Sequence, residues 1–163
     1  MRQAALAVAV LLIPALLRAQ NAEAPFRYKG YGYTYFSMGS CQHRYLNLGV
    51  GGGGEGFVWR GLTLGGDLGY FDFPSDRSRG YGVTTLNVGY HFVDRNTPKK
   101  LDPYVSVGVL GLAAGPEYRM GAGSLGGGVN YWFRQRIGLY TGAQIQVAGE
   151  EAMVQFRIGL TFR

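Results

Sequence analysis

The sequence predicts an all-β fold: an eight-stranded antiparallel up-and-down transmembrane β-barrel. Three observations point to it. Residues 153–163 place Val154, Phe156, Ile158, Leu160 and Phe162 on one face of a strand and Gln155, Arg157, Gly159, Thr161 and Arg163 on the other, because successive Cβ atoms alternate sides. Such a strand separates two surroundings, core and water in a soluble sandwich or lipid and lumen in a membrane barrel. Seven further segments upstream alternate in the same way, and the N-terminus reads as an export signal.

The leader comes first. Met1-Arg2-Gln3 is a short basic region, and an apolar run over residues 4–17 is broken only by Pro14. Small-residue cleavage sites follow, after Ala19 or at Ala22-Glu23-Ala24, the better match to A-x-A. At about fourteen residues the run is short for a membrane-spanning helix, which needs roughly twenty. Residues 1–24 are therefore expected to be a cleaved signal peptide and 25–163 the barrel. No cysteine lies at the cleavage region, so no lipid anchor is expected, and no later run is long enough for a transmembrane helix.

The composition suits strands and tight turns, with 28 glycines, 12 tyrosines and 9 phenylalanines. Mean hydropathy is near zero, as expected when a lipid face and a lumen face average out. Cys41 is the single cysteine, which excludes an intramolecular disulfide framework.

The strand segments follow in order. Residues 28–38 oppose Tyr31, Tyr33 and Tyr35 to Gly30, Gly32 and Thr34, and residues 45–58 oppose Leu46, Leu48 and Val50 to Asn47, Gly49 and Gly51. The third, 62–71, sets Leu62, Leu64, Leu68 and Tyr70 against Thr63, Gly65, Asp67 and Gly69. The fourth, 82–92, sets Leu86, Val88, Tyr90 and Phe92 against Thr85, Asn87, Gly89 and His91. In the fifth, 104–112, Val105, Val107 and Val109 alternate with Ser106 and Gly108. The sixth, 122–133, carries Val129, Tyr131 and Phe133 against Ser124, Gly126, Gly128 and Asn130. The seventh, 137–147, carries Ile137, Leu139, Ala143, Ile145 and Val147 against Gly138, Tyr140, Gln144 and Gln146. The C-terminal strand is the eighth. The glycine run 51–54 leaves the facing of Phe57 and Trp59 open, since a bulge there would flip both.

Segments of roughly nine to eleven residues match tilted transmembrane strands and exceed usual soluble ones. The face chemistry places lipid outside. Large apolar side chains crowd one face, and glycine, Ser, Thr, Asn and Gln fill the other, where an eight-stranded lumen is narrow. Aromatics gather toward segment ends as two interfacial girdles: Trp59, Tyr90, Phe92, Phe133 and Phe162 at one rim, Tyr35, Tyr70 and Phe73 near the other.

On these residues the chain resembles the small outer-membrane β-barrels of Gram-negative bacteria, the OmpA- and OmpX-like transmembrane domains, over nearly all of its expected mature length. The specific match is the C-terminal signature Arg157-Ile158-Gly159-Leu160-Thr161-Phe162, a polar residue, Gly and alternating apolar residues. The resemblance implies that the barrel assembly machinery reads Arg157, Gly159 and Phe162. Arg163 departs from the aromatic ending common in that family. It also implies localisation to the cell outer membrane, partnership with outer-membrane lipids, a monomeric state, and both termini in the periplasm. No peptidoglycan-binding domain is expected after the barrel. Outer loops then fall at 39–44, 72–81, 113–121 and 148–152, and periplasmic turns at 59–61, 93–103 and 134–136.

Few motifs carry chemistry. Gly49–Gly54 and Gly121–Gly126 satisfy G-x-G-x-x-G formally, but a dinucleotide site needs a helix after the glycines, and both runs continue as strand pattern. No ligand spacing for a metal is present, and no cofactor is expected. His91 is expected to point into the lumen and hydrogen-bond there. His43 and Ser40 share an outer loop, with Asp72 a possible neighbour. Some eight-stranded barrels modify lipid A with Ser, His and an acid at the outer rim, so Ser40 and His43 carry the alternative reading of an enzyme. Arg60, Arg95, Lys99, Lys100, Arg134 and Arg136 outnumber Asp94 and Asp102 in the periplasmic turns. Such a rim suits anionic phospholipid headgroups, while the lack of a basic face or stacking platform argues against nucleic acid.

Glu55, Asp67 and Arg157 all point inward on the predicted register at similar heights. Charges in a tight lumen need partners, so Arg157 is expected to bridge Asp67, Glu55 or both. The expected function is an integral outer-membrane barrel with a structural or interaction role, its lumen largely plugged and without catalysis. A narrow porin-like channel for ions or small solutes is the second alternative.

Overall fold

The computed structural model describes residues 29–41, 45–72, 80–93, 99–114, 117–148 and 151–163. The leader 1–24, His43 and Phe73 lie outside the described residues. The strands are β1 (Gly30–Cys41), β2 (Tyr45–Trp59), β3 (Leu62–Asp72), β4 (Tyr81–His91), β5 (Leu101–Ala114), β6 (Glu117–Trp132), β7 (Ile137–Ala148) and β8 (Glu151–Phe162). Each pairs antiparallel with the next, and β8 returns to β1 through pairs such as Tyr33↔Thr161 and Ser37↔Arg157. The closed barrel has no free edge, so every ladder is satisfied inside the cylinder.

The apolar and polar faces are inverted relative to a soluble protein. Leu68, Leu86 and Phe156 are 63–70% exposed on the outer wall. Ser37, Thr63, Thr85, Asn130 and Thr161 are fully buried inside. Fully burying one Val, Leu, Ile or Phe is worth roughly 1.5–3 kcal/mol, so a continuous outer wall of them is tenable only against an apolar medium.

Several boundaries and facings differ from those read in the sequence. Residues 101–103, expected in a periplasmic turn, already pair as strand through Leu101↔Tyr131 and Asp102↔Asn130. At the other end β5 and β6 stay paired as far as Ala114↔Glu117, after a register irregularity at Leu110/Gly111. Most of the expected loop 113–121 is thus ladder. The glycine run of β2 holds its register with β1 and β3, and the irregularity falls later, between Phe57 and Trp59. Phe57 therefore stays in the lumen, 7% exposed, while Trp59 turns outward at 61%.

The tyrosines of β1 carry the largest correction. Tyr35 was expected in an interfacial girdle, but Tyr31, Tyr33 and Tyr35 all face the lumen at 4–5% exposure. The opposing glycines explain it. A Cβ at Gly51 would lie 2.5 Å from the Tyr35 hydroxyl, and one at Gly69 would lie 2.7 Å from it. The narrow lumen pairs tyrosine rings with absent side chains, so small residues and large ones fill it together.

Candidate functional site

The lumen is the candidate site, and its side chains fall into three groups along the axis. At mid-height, β8 presents Arg157 and β3 presents Asp67, with Nη1 and Oδ2 3.5 Å apart. Asp67 also accepts hydrogen bonds from the Tyr35 hydroxyl at 3.1 Å and from Asn87 Nδ2 at 3.1 Å. Arg157 donates from Nη2 to Gln155 Oε1 at 3.4 Å and lies 4.3 Å from the Tyr35 ring centroid.

Tyrosines from β1, β5 and β7 pack beside this group. The Tyr33 and Tyr140 rings stack with centroids 4.7 Å apart and planes 4° from parallel, and Tyr104 stacks on Tyr140 at 6.1 Å. Glycine again makes the room, since a Cβ at Gly142 would sit 2.6 Å from the Tyr104 hydroxyl. Between Tyr33, Asp67, Asn87, Tyr104, Tyr140 and Arg157 lies a cavity of about 10 Å³, close to the smallest space that holds one water.

The end where β4 meets β5 holds a second polar group. His91 Nδ1 lies 2.7 Å from Asp102 Oδ1 and Nε2 lies 3.6 Å from Glu55 Oε2. As a carboxylate Asp102 can only accept, so the proton on this bond belongs to Nδ1. Thr63 donates to Glu55 at 2.5 Å, and the Tyr31 hydroxyl is 3.2 Å from His91 Nε2. The rings of Tyr31, Phe57 and Tyr104 stand 5.1–5.4 Å from the imidazole and enclose it. Toward the opposite end, Asn47 donates to the Tyr81 hydroxyl at 2.9 Å, and that hydroxyl donates to Met153 Sδ at 3.1 Å.

The structure thus brings Asp67 and Arg157 together and does not bring Glu55 to Arg157. Strand tilt is the reason. Closing eight strands requires a stagger between neighbours, so residues at equal counts along different strands do not share a height. Glu55 meets His91 and Thr63 instead. The lumen position of His91 and its hydrogen bonding agree with the sequence reading, but its pairing with Asp102 and Glu55 carried no signal in the sequence, because the three lie on β2, β4 and β5.

Among the assembly-signature residues, Arg157 points inward and Phe162 is 42% exposed on the outer wall. A Cβ at Gly159 would collide with the Thr34 carbonyl oxygen, so this close approach of β8 to β1 requires glycine. Ser40 pairs with Leu46 and Val154 near the end of β1. Both formal glycine motifs lie within strands β2 and β6, with no helix after them to receive a phosphate. Among the described residues no cluster of His, Cys, Asp and Glu could hold a metal.

No family model matches the chain, and no curated protein sequence matches it. Solved structures do. The N-terminal β-barrel domain of Pseudomonas aeruginosa OprF superposes with a TM-score of 0.56 at 18% identity, covering 84% of this chain and 100% of that one. Neisserial surface protein A gives 0.55 at 11% identity, with 87% and 99% covered. Ail, the attachment invasion locus protein of Yersinia pestis, gives 0.52 at 7% identity, with 82% and 95% covered. A de novo designed transmembrane β-barrel also matches, at 0.55 and 18% identity over 85% of this chain and 98% of that one. The chain has the fold of small transmembrane β-barrels.

Proposed function

We propose that the protein is an integral outer-membrane barrel with a structural or interaction role, its lumen closed by its own side chains and without catalysis. The observation that carries this reading is the filling of the lumen. Trp132, Phe71, His91 and Gln155 are each no more than 1% exposed, and the Arg157–Asp67 contact and the tyrosine stack occupy mid-height. The inverted outer wall and the likeness to OprF, neisserial surface protein A and Ail support the membrane setting. Export would use residues 1–24, and assembly would use Arg157, Gly159 and Phe162.

Single-channel recording on the refolded protein in a planar bilayer tests the reading. A closed lumen passes no steady current. Sustained open-channel conductance would overturn it in favour of a narrow channel. N-terminal sequencing of the protein from an outer-membrane fraction tests the export step, with a first residue between Gln20 and Pro25 expected.

A further inference from the structure

The barrel end where β1 begins and β8 finishes is edged with cations. Strands β2, β6 and β8 run out there, and each gives an outward aromatic residue followed at once by arginine: Trp59-Arg60, Phe133-Arg134 and Phe162-Arg163. The three aromatics are 42–61% exposed on the outer wall. Strands β1, β5 and β7 start beside Lys29, Lys99 and Lys100, and Arg136. Arg60 lies 5.0 Å from the Trp59 ring centroid. Arg163 lies 4.3 Å from that of Trp132 and donates from Nε to the Gln135 carbonyl at 2.7 Å. Arg60 is therefore held against the outward aromatic level, whereas Arg163 turns inward over the buried Trp132.

Asp102 follows Lys99 and Lys100 in sequence, yet its side chain is fully buried in the lumen against His91.

We infer that this end of the barrel is a recognition surface for the headgroups of anionic phospholipids. Exposed aromatics on a lipid-facing wall settle at headgroup depth, which puts the exposed Arg60 and Arg134 beside Trp59 and Phe133 level with the phosphates. The planar guanidinium matches a phosphate through two parallel hydrogen bonds, and basic residues beside an anionic leaflet bind it in a salt-dependent way. Nucleic acid fits poorly, because the cations ring a belt whose aromatic faces are turned to lipid. The inference rests on the membrane reading proposed above.

The test reads energy transfer from tryptophan, chiefly the outward Trp59, to dansyl-labelled lipid. The protein is refolded into phosphatidylcholine vesicles and into vesicles of phosphatidylcholine mixed with phosphatidylglycerol, and insertion is followed by the blue shift of tryptophan emission. Transfer to dansyl-phosphatidylglycerol should exceed transfer to dansyl-phosphatidylcholine. That preference should vanish when Arg60, Lys99, Lys100, Arg134 and Arg136 are all replaced by Gln, and shrink in the milder Lys99→Gln/Lys100→Gln variant. It should weaken in sodium chloride and weaken no further when inorganic phosphate replaces chloride at equal ionic strength. Insertion with equal transfer to the two lipids, or a preference unchanged in both variants, overturns the inference while leaving the membrane reading standing. Stronger competition by free phosphate than by chloride would assign the cations to a soluble anion and overturn it too. Failure to insert into either vesicle, with no blue shift, overturns the membrane reading itself.

Discussion

Asp67→Asn is expected to destabilise the barrel more than Arg157→Gln, although the two side chains face each other across the lumen. Their side chains are only 1% and 4% exposed. Removing Asp67 leaves the guanidinium with neutral partners, the Gln155 oxygen at 3.4 Å, the Tyr35 ring and the Tyr140 hydroxyl. A buried charge stripped of its counterion costs about 3–5 kcal/mol. Removing Arg157 instead leaves the Asp67 carboxylate with two donors, Tyr35 and Asn87, each at 3.1 Å. Hydrogen bonds to a charged group are worth about 1.5–3 kcal/mol each, so the loss should be nearer about 2–3 kcal/mol. The double variant removes both charges and should cost less than the sum, with a coupling of about 1–3 kcal/mol. Equilibrium urea unfolding in phospholipid vesicles, on both single variants and the double, measures each quantity. If both singles fall within about 0.5 kcal/mol of the parent and add, the charges are separately solvated and the pairing argument fails.

Leu160→Arg places a charge on the lipid face of β8 and should cost up to about 2–4 kcal/mol, depending on its depth; cysteine labelling that found position 158 open to water-soluble reagent and position 157 open only to a lipid-phase one would invert the faces. Gly51→Val should destabilise by about 1–3 kcal/mol through overpacking, because its Cβ would stand 2.5 Å from both the Tyr35 hydroxyl and the Leu68 carbonyl oxygen; a stability equal to the parent's in urea would mean that the tyrosine does not fill this space. His43→Ala should leave lipid A unchanged in producing cells, and loss of an acyl modification by mass spectrometry would favour the enzyme with Ser40 and His43.

Alternation along a single strand is a local property, and it was readable. Val154, Phe156, Ile158, Leu160 and Phe162 declare one face of β8 without reference to any other strand, because the side-chain period of an extended chain is two. The same local signal marks Leu86 and Val88 as outward and Asn87 and His91 as inward on β4. Eight such segments, with glycine opposite bulk, were enough for a closed transmembrane barrel.

What the tertiary structure decided is how one strand sits against those it does not adjoin in sequence. Tyr31, Tyr33 and Tyr35 alternate as cleanly as the leucines of β3, yet nothing in β1 says which side faces lipid. Gly51, Gly69 and Gly159, from β2, β3 and β8, leave the lumen space and strand approach that Tyr35 needs. Glu55 likewise carries a charge that must find a partner, but the stagger of the closed barrel decides whether that partner is Arg157 or His91. The bend that turns Trp59 outward while leaving Phe57 inside is set by pairing with β3 after the glycines. Period and composition are written residue by residue; height and contact across a lumen exist only once the strands have closed.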